Sequence, residues 1–369
     1  MAKHYKRVLI SGASFAGLST AYWMNRFGYQ VTVVEIATGL KKGGTPVNIL
    51  GKTIDIVHNM GLFEQIYANR LRMERVEFKN ADDITQLTDH HEHHEQEEYE
   101  VERDFLLQLM HGLVRDKVEF IYGETIIGLN EDDEQMHVTF KNSEPRSFDL
   151  VFGCDGIHSV VRNLWFGEEK EFSLFLQAYF SITIVDKLLI PENTTQLYSE
   201  VGKTVMLNAY NGKTDICFAY FSQKEVQYDY RNETQMRNMI AEQYKNSGWR
   251  CRELLKEIRQ SESFYFDKLC QMKMPSWTKG RVALVGDAGY CPSPAAGRGG
   301  SLAIDGAAAL ADSFGKHNGN FELAFQEYNT SLRPFIEQVQ SEVVDFGLDI
   351  LIPKTEEAII KRNRQGFSF

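Results

Sequence analysis

The sequence lacks three features that would each define a class of protein: a long apolar run, paired cysteines and an excess of positive charge. No segment approaches the roughly 20 consecutive apolar residues that span a bilayer. The five cysteines are scattered and none stands in a C-x-x-C pair, so the sequence predicts neither a disulfide framework nor a zinc site. The net charge of −11 argues against nucleic acid or an anionic membrane surface as a partner.

The rest of the composition is typical of a folded globular protein. The 369 residues are enough for two domains, and the apolar and charged fractions, 43% and 25%, are ordinary. The basic start, MAKHYKRVLISGASFAG, leads into an apolar run that glycines interrupt early, which argues against a signal peptide. Together with the unpaired cysteines, this predicts a location in the reducing cytoplasm.

The first 35 residues carry the clearest pattern in the chain. The segments YKRVLIS and YQVTVVE are typical of buried parallel strands, and FAGLSTAYWMNRFG between them has helical spacing that ends at Gly28. Glu35 closes the second strand, 23 residues after the first glycine of the turn. That turn is a variant of the dinucleotide-binding fingerprint, with serine in place of the second glycine, and it reads Gly12, Ala13, Ser14, Phe15, Ala16, Gly17.

Each part of this pattern has a physical role in binding a dinucleotide. Gly12 allows a tight turn, Gly17 allows the helix to pack on the strand, and the Glu35 carboxylate accepts ribose hydroxyls. The backbone N–H groups at the helix N-terminus, around Ser14–Ala16, suit a pyrophosphate. The fingerprint occurs once in the sequence, so one dinucleotide is expected to be resident and any second nucleotide must come and go.

Two later segments indicate which dinucleotide is bound. FDLVFGCDGIHSVVR, residues 148–162, is predicted as a buried strand followed by Asp155 and Gly156 in a D-G-x-x-S-x-x-R spacing. RVALVG is predicted as another buried strand that ends just before Asp287. A proline- and glycine-rich turn follows, and a helix is predicted over residues 299–315. The conspicuous residues of that turn are Pro294, Gly297, Gly299 and Gly300.

These three motifs, in this order, resemble those of the single-component FAD-dependent monooxygenases of the aromatic-hydroxylase family, over nearly the whole chain. The segments DGIHS and FYFDKLCQMKMPSWTKGRVALVGDAGYCPSP are most similar to the branch that contains tetracycline-inactivating monooxygenases. The resemblance implies an α/β fold: a Rossmann-like FAD-binding domain, an antiparallel-sheet substrate domain and C-terminal helices. The implied boundaries are 1–75, 100–170 and 263–318 for FAD, 76–99 and 171–262 for substrate, and 319–369 for the helices.

The resemblance also implies roles for individual residues. Asp287 would bind a ribityl hydroxyl of FAD, and Asp155 and Gly156 would lie near the pyrophosphate and the transient nicotinamide cofactor. The glycine-rich turn would pass under the flavin ring, where the N-terminus of the following helix stabilises negative charge. Arg298 stands between those glycines and either strengthens that stabilisation or turns away to solvent. The other residues expected beside the cofactor are Gly43, Gly44, Thr45 and Arg103, the last heading a helix with Asp104 as its N-cap.

The implied activity is flavin-mediated hydroxylation. FAD would be reduced by NADPH or NADH, dioxygen would add to the ring, and the resulting hydroperoxide would oxidise an aromatic or polyketide-like small molecule, with tetracycline as one possibility. No acid–base pair is predicted, since the cofactor carries the chemistry. A monomer or weak homodimer is expected.

Three rival functions share the same fold. An FAD-dependent reductase or dehydrogenase would not insert oxygen, and the motifs alone do not separate it from a hydroxylase. A flavin-dependent halogenase should carry a W-x-W-x-I-P type segment, which the four tryptophans do not supply. A non-enzymatic flavoprotein would bind FAD without consuming NAD(P)H.

The substrate side is predicted from strand alternation in residues 171–230. One face of an antiparallel sheet is expected to line the substrate pocket, although aromatic strand residues more often form plain core. The candidates for substrate contact are Gln177, Tyr179, Lys203, Met206, Tyr210, Phe218 and Tyr220.

Two remaining segments complete the predictions. The run DHHEHHEQEEYE, residues 89–100, has ligands suited to nickel or zinc but is interpreted as a charged, solvated loop, and no metal is expected. Residues 321–352 have helical spacing, with Pro334 near the start of a second helix.

Overall fold

The strands in the described part of the chain group into four sheets. In the computed structural model, which describes residues 6–90 and 98–365, the strands in chain order are β1 (Arg7–Ser11), β2 (Gln30–Glu35), β3 (Val47–Leu50), β4 (Arg75–Lys79), β5 (Thr85–His90), β6 (Glu98–Val101), β7 (Glu119–Tyr122), β8 (Ile126–Glu131), β9 (Met136–Phe140), β10 (Arg146–Phe148), β11 (Leu150–Gly153), β12 (Ser173–Val185), β13 (Thr194–Glu200), β14 (Lys203–Tyr210), β15 (Lys213–Phe221), β16 (Ser263–Met272), β17 (Thr278–Lys279) and β18 (Val282–Leu284).

The helices lie mostly in the first and last thirds of the chain. They are α1 (Phe15–Arg26), α2 (Lys52–Asn59), α3 (Phe63–Ala68), α4 (Arg103–Val114), α5 (Val160–Trp165), α6 (Glu169–Phe172), α7 (Glu233–Tyr244), α8 (Cys251–Gln260), α9 (Asp287–Tyr290), α10 (Gly299–Lys316), α11 (Phe321–Glu342), α12 (Leu348–Leu351) and α13 (Glu356–Gln365). A 3₁₀ turn, Pro294–Ala296, precedes α10, and a π turn, Val343–Gly347, follows α11.

The parallel sheet is the Rossmann-like part of the fold. Its order is β17-β18-β11-β1-β2-β7, and every neighbouring pair except β17–β18 is parallel. The strands β1, β11 and β18 are almost completely buried, as expected for strands covered on both faces. Helix α1 ends at Arg26, and Gly28 follows with a φ of +83°. The predicted strand–helix–strand unit is therefore confirmed.

The mixed sheet is the second large sheet, in the order β16-β12-β15-β14-β13-β4-β5. Its pairs are antiparallel except β13–β4, which is parallel. One face of this sheet packs on α7 and α8 in an apolar core that includes Tyr179, Leu207 and Phe218. The other face is turned toward the parallel sheet and bounds the cavity described below.

The C-terminal part is helical, as predicted, but the predicted break near Pro334 is wrong. Helix α11 continues through Pro334 without interruption. Proline removes one backbone donor from a helix, yet Leu332 and Ile336 on either side are buried and hold the segment in place. Among the described residues, no helix is long and apolar enough to cross a membrane.

Candidate active site

The turn between β1 and α1 brings three backbone segments into close contact. Gly12 has a φ of +102°, and a Cβ atom there would overlap the Cys154 carbonyl at the end of β11. A Cβ atom at Gly17 would overlap the Gly12 carbonyl. Only glycine fits at both places, so the turn stays tight and the N–H groups at the start of α1 remain open to a ligand.

Glu35 lies at the end of β2, beside this turn. Its Oε2 accepts a hydrogen bond from the Ala13 N–H at 2.8 Å, and its Oε1 accepts one from the Ala37 N–H at 3.0 Å. These two bonds fix the carboxylate against the dinucleotide turn. Its remaining lone pairs suit ribose hydroxyls.

A cavity of about 720 Å³ lies between the carboxyl ends of the parallel strands and the mixed sheet. Many residues of the sequence motifs line it, and they come from segments far apart in the chain. The predicted cofactor residues that line it are Ser14, Phe15, Ala16, Gly44, Thr45, Arg103, Gly156, Asp287, Pro294, Gly297, Gly299 and Gly300. The predicted residues Gly43 and Met206 line it too, and Phe218 borders it although its ring packs on Tyr244 in the core under α7 and α8.

Two features of the segment from α9 to α10 suit a flavin. The N-terminus of α10 opens into the cavity at Gly299 and Gly300, so its free N–H groups and dipole can stabilise an anion there. Asp287, the first residue of α9, is half-buried beside the cavity, and desolvation raises the pKa of its carboxyl to about 6. A ligand hydroxyl that donates to this carboxylate would relieve its desolvation, so these residues fit the ribityl chain of FAD.

Arg103 reaches from α4 across the cavity toward the turn. Its Nη1 donates to the Lys41 carbonyl at 3.0 Å, its Nη2 lies 3.4 Å from Ser14 Oγ, and the guanidinium sits over the Phe15 ring. Burial lowers the pKa of Arg103, partly offset by the nearby Asp104 carboxylate. The predicted N-cap is wrong: α4 begins at Arg103 itself, and the Asp104 carboxylate accepts from the Gly43 N–H instead.

Some predicted cofactor residues do not line the cavity. Gly12, Gly17 and Glu35 shape the turn behind it, as described above. Asp155 accepts hydrogen bonds from the N–H groups of Val160 and Val161 and from Ser159 Oγ, so it caps α5 rather than facing the cavity. Arg298 lies just before α10 outside the cavity wall, and its charge acts on Asp305.

Most of the predicted substrate residues lie elsewhere. Tyr179 and Tyr220 belong to the core under α7 and α8, and Lys203 donates to the Gln243 carbonyl on α7, so these three side chains are on the opposite face of the mixed sheet. Gln177 is exposed at a β-bulge, with a φ of +58°. Tyr210 is buried against Asp215 and does not line the cavity. Tyr179 and Tyr220 therefore fit the alternative interpretation of aromatic strand residues, which is that they form plain core instead of contacting substrate.

Several residues that line the cavity were not predicted from the sequence. Phe180 and Ile182 stand next to the predicted Tyr179 but on the other face of β12, and sequence alternation alone does not tell which face is which. Glu100 was assigned to the charged run 89–100, yet it lies in β6 and lines the cavity. The residues 91–97 of that run, with most of its histidines, lie outside the described part of the chain.

Comparison with known proteins identifies the family. A family model described as "FAD binding domain" matches residues 5–342. A flavin-dependent monooxygenase of Legionella longbeachae is 33% identical over 345 residues, which cover 92% of this chain and 88% of that protein. An uncharacterized protein of Mycobacterium tuberculosis is 34% identical over 346 residues, which cover 92% of this chain and 93% of that protein.

Solved structures agree with the sequence relatives. The tetracycline destructase Tet(55) superposes with a TM-score of 0.86 at 32% identity, over 99% of this chain and 96% of that one. Tet(51) gives the same TM-score at 30% identity, over 98% and 95%. The more distant Klebsiella pneumoniae HpxO, solved with FAD, shares the fold with a TM-score of 0.73 at 18% identity. The chain belongs to the FAD binding domain family, and it is an FAD-dependent monooxygenase of the aromatic-hydroxylase type.

Proposed function

We propose that this monooxygenase takes electrons from NADPH or NADH and inserts one atom of dioxygen into an aromatic or polyketide-like small molecule, with tetracycline as the first compound to test. The observation that carries the proposal is the shared cavity. Residues of the dinucleotide motifs form one wall, and the mixed sheet forms the other with Phe180, Ile182 and Met206. A small molecule on that sheet would therefore lie beside the bound cofactor.

The chain's own residues hold and orient the cofactor. Glu35 would accept the ribose hydroxyls of FAD, the N-terminus of α1 would face the pyrophosphate, and Asp287 would accept from the ribityl chain. The α10 N-terminus, at Gly299 and Gly300, stabilises negative charge on whatever lies in front of it. When bound, FAD supplies the redox chemistry, because it accepts a hydride and activates dioxygen.

The mixed sheet would hold the substrate and exclude water. Phe180, Ile182 and Met206 give this wall an apolar surface, and Tyr265 adds an aromatic ring in edge contact with Phe180 at a centroid distance of 5.5 Å. An apolar wall of this kind suits a flat, ring-containing compound. It also keeps water from the reacting atoms, which protects reduced oxygen species from wasteful breakdown.

Other observations support the proposed substrate class and the proposed cellular compartment. The similarity to two proteins titled as tetracycline destructases makes a polycyclic substrate the first choice. The five cysteines are free, which suits the reducing cytoplasm, where NADPH and NADH are supplied. We expect the enzyme to act as a monomer or weak homodimer.

The test combines a spectrum with an activity panel. The purified protein, supplied with FAD, is examined for flavin absorbance and then for NADPH and NADH oxidation with tetracycline and a set of phenols, while oxygen uptake is followed. Substrate-stimulated oxygen uptake and a product heavier by about 16 mass units, one oxygen atom, are the expected results. Flavin reduction without oxygen insertion would favour the reductase alternative, and the absence of bound flavin would contradict the cofactor site.

A further inference from the structure

One ionisable side chain in the cavity has no assigned partner. Glu100 lies in the middle of β6, cross-strand from Asn48 of β3, and its side chain lines the cavity. The neighbouring residues Tyr99 and Val101 point the other way into the core. Glu100 is therefore held on the short two-stranded antiparallel sheet of β3 and β6, on the side of the cavity.

Glu100 is half-buried, and its carboxylate has no hydrogen-bond donor among the described residues. Within residues 6–90 and 98–365, no side chain or backbone N–H donates a hydrogen bond to it, whereas Glu102, just after β6, is paired with Lys213 and Asn211. Desolvation and, to a smaller extent, the negative charge of Glu98 together raise the pKa of Glu100 to about 7. A partly desolvated carboxylate without a donor is costly, so a ligand that supplies the donor gains binding energy there.

The surroundings of Glu100 determine what that ligand group can be. Asp215 on β15 accepts from the Tyr210 hydroxyl, and the charge of Glu100 raises the pKa of both groups, so the three lie close together. The cations Lys41, Lys42 and Arg103 line the same cavity and do not contribute to the pKa of Glu100. This end of the cavity thus holds two carboxyl groups with raised pKa values, about 7 for Glu100 and about 8 for Asp215, and it repels a substrate carboxylate more strongly as they ionise.

We propose that Glu100 is a substrate-contact residue that accepts a hydrogen bond from an amine or hydroxyl of the substrate, so that the enzyme favours ring compounds with a donor at that end and rejects those with a carboxylate there. The inference rests on the proposed function, since the substrate occupies the same cavity. It goes further by specifying one polar group of the substrate, whereas the apolar wall of the mixed sheet indicates only a ring-containing compound.

The contact predicts an order of binding. Three phenols of similar shape serve as probes: para-hydroxybenzylamine, para-hydroxybenzyl alcohol and para-hydroxybenzoate. Each is titrated into the FAD-loaded enzyme, and its dissociation constant is read from the change in flavin absorbance. We expect the amine to bind best and the carboxylate worst. In Glu100→Gln the amine should lose about tenfold in affinity, while the carboxylate should gain, because charge-assisted hydrogen bonds are the stronger ones.

The wild-type protein offers a second measurement that needs no variant. Since Glu100 ionises near neutral pH, amine binding should tighten between about pH 6 and pH 8. In Glu100→Gln this rise should be much smaller and shifted toward pH 8, where the nearby Asp215 ionises. Glu98→Gln is the matched control, with the same chemical change on the same strand at an exposed position. It should keep the order of binding and most of the pH dependence.

The possible outcomes separate the two proposals. An unchanged order of binding in Glu100→Gln, a preference of the wild type for the carboxylate, or no binding of any probe to either protein would each overturn the Glu100 contact. Retention of the predicted order without substrate-stimulated oxygen uptake from any compound would overturn the proposed function and leave the Glu100 contact standing.

Discussion

Gly12 is a position where a single added methyl group should be strongly destabilising. Its positive φ and its approach to the Cys154 carbonyl leave no room for a side chain. We expect Gly12→Ala to lower the free energy of unfolding by about 2 kcal/mol or more and to weaken FAD retention. Denaturant titration and the flavin content after gel filtration measure the two effects.

A control for this change lies within α4. A Cβ atom at Gly112 would meet no other atom, and its backbone is helical, so Gly112→Ala should be neutral or slightly stabilising. Equal losses of stability in the two variants would show that the close approach at Gly12 is not the cause.

Tyr179 and Phe180 are adjacent in sequence and should have separate functions. The Tyr179 hydroxyl is hydrogen-bonded to the Val226 N–H at 2.6 Å on the helix side of the sheet, so Tyr179→Phe should cost about 1 kcal/mol of stability and leave substrate affinity unchanged. Phe180 lines the cavity, so Phe180→Ala should weaken substrate binding. Binding titrations of both variants test this, and a loss of affinity in Tyr179→Phe alone would contradict the assignment of faces.

At the scale of elements, His158 joins the loop after β11 to α6 and β16. Its Nδ1 lies 2.8 Å from Glu169 and its Nε2 lies 3.1 Å from Asp267, while the Tyr230 ring stacks on it at 4.2 Å. Burial alone would lower the pKa of His158, but the hydrogen bonds to Asp267 and Glu169 outweigh it and raise the pKa to about 9. The protonated imidazole thus holds the two carboxylates together.

The stability of this link should depend on pH. Because the folded pKa lies above the ordinary value of 6.5, the contribution is complete below about pH 6.5 and is lost as the pH rises through about 9. His158→Gln should lower the free energy of unfolding by about 3 kcal/mol at neutral pH, and by less at pH 9.5. Denaturant titrations at several pH values measure this difference.

The exposed pair of His137 and Asp132 provides a matched control. Both side chains are about half exposed, so His137→Gln should change stability little at any pH. A loss in His158→Gln that stays constant with pH would indicate packing rather than charge as its origin.

The sequence predicted the elements of the cofactor site better than those of the substrate site, for a physical reason. The dinucleotide motif is local, because its glycines, its helix start and Glu35 all belong to one strand–helix–strand unit of the chain. Their spacing along the sequence is therefore recognisable without knowledge of the rest of the fold. The faces of β12 depend on a bulge between Phe175 and Ala178, which no periodic pattern reveals. Glu100 was missed because a run of charges resembles a solvated loop.

At the scale of the whole molecule, cofactor binding should stabilise the fold. FAD at about a hundredfold over its dissociation constant should add about 2.7 kcal/mol and raise the melting temperature by several degrees. FMN lacks the adenosine ribose that Glu35 is placed to bind, so it should raise the melting temperature less. Thermal unfolding followed by tryptophan fluorescence compares them, and equal shifts would contradict the role of Glu35.

The fold as a whole was predictable in class, and the boundaries of its domains stay a prediction. The order of buried strands and glycine-rich turns predicted an α/β cofactor domain with a second sheet, which the structure confirms. The parallel pairing of β4 with β13 was not predictable, because it joins segments more than a hundred residues apart that carry no shared pattern. Long-range pairing of this kind is decided by packing in three dimensions.

The threading of the mixed sheet limits how such an enzyme can be redesigned. Its strands come from residues 75–90, 173–221 and 263–272. Between the first two segments lie β7 and β11 of the parallel sheet, and between the last two lie α7 and α8. A chimera that exchanges one continuous block with a relative would therefore split the sheet and leave unpaired strand edges. A new substrate preference is better engineered by changing single side chains of the cavity wall, or by exchanging all three segments together.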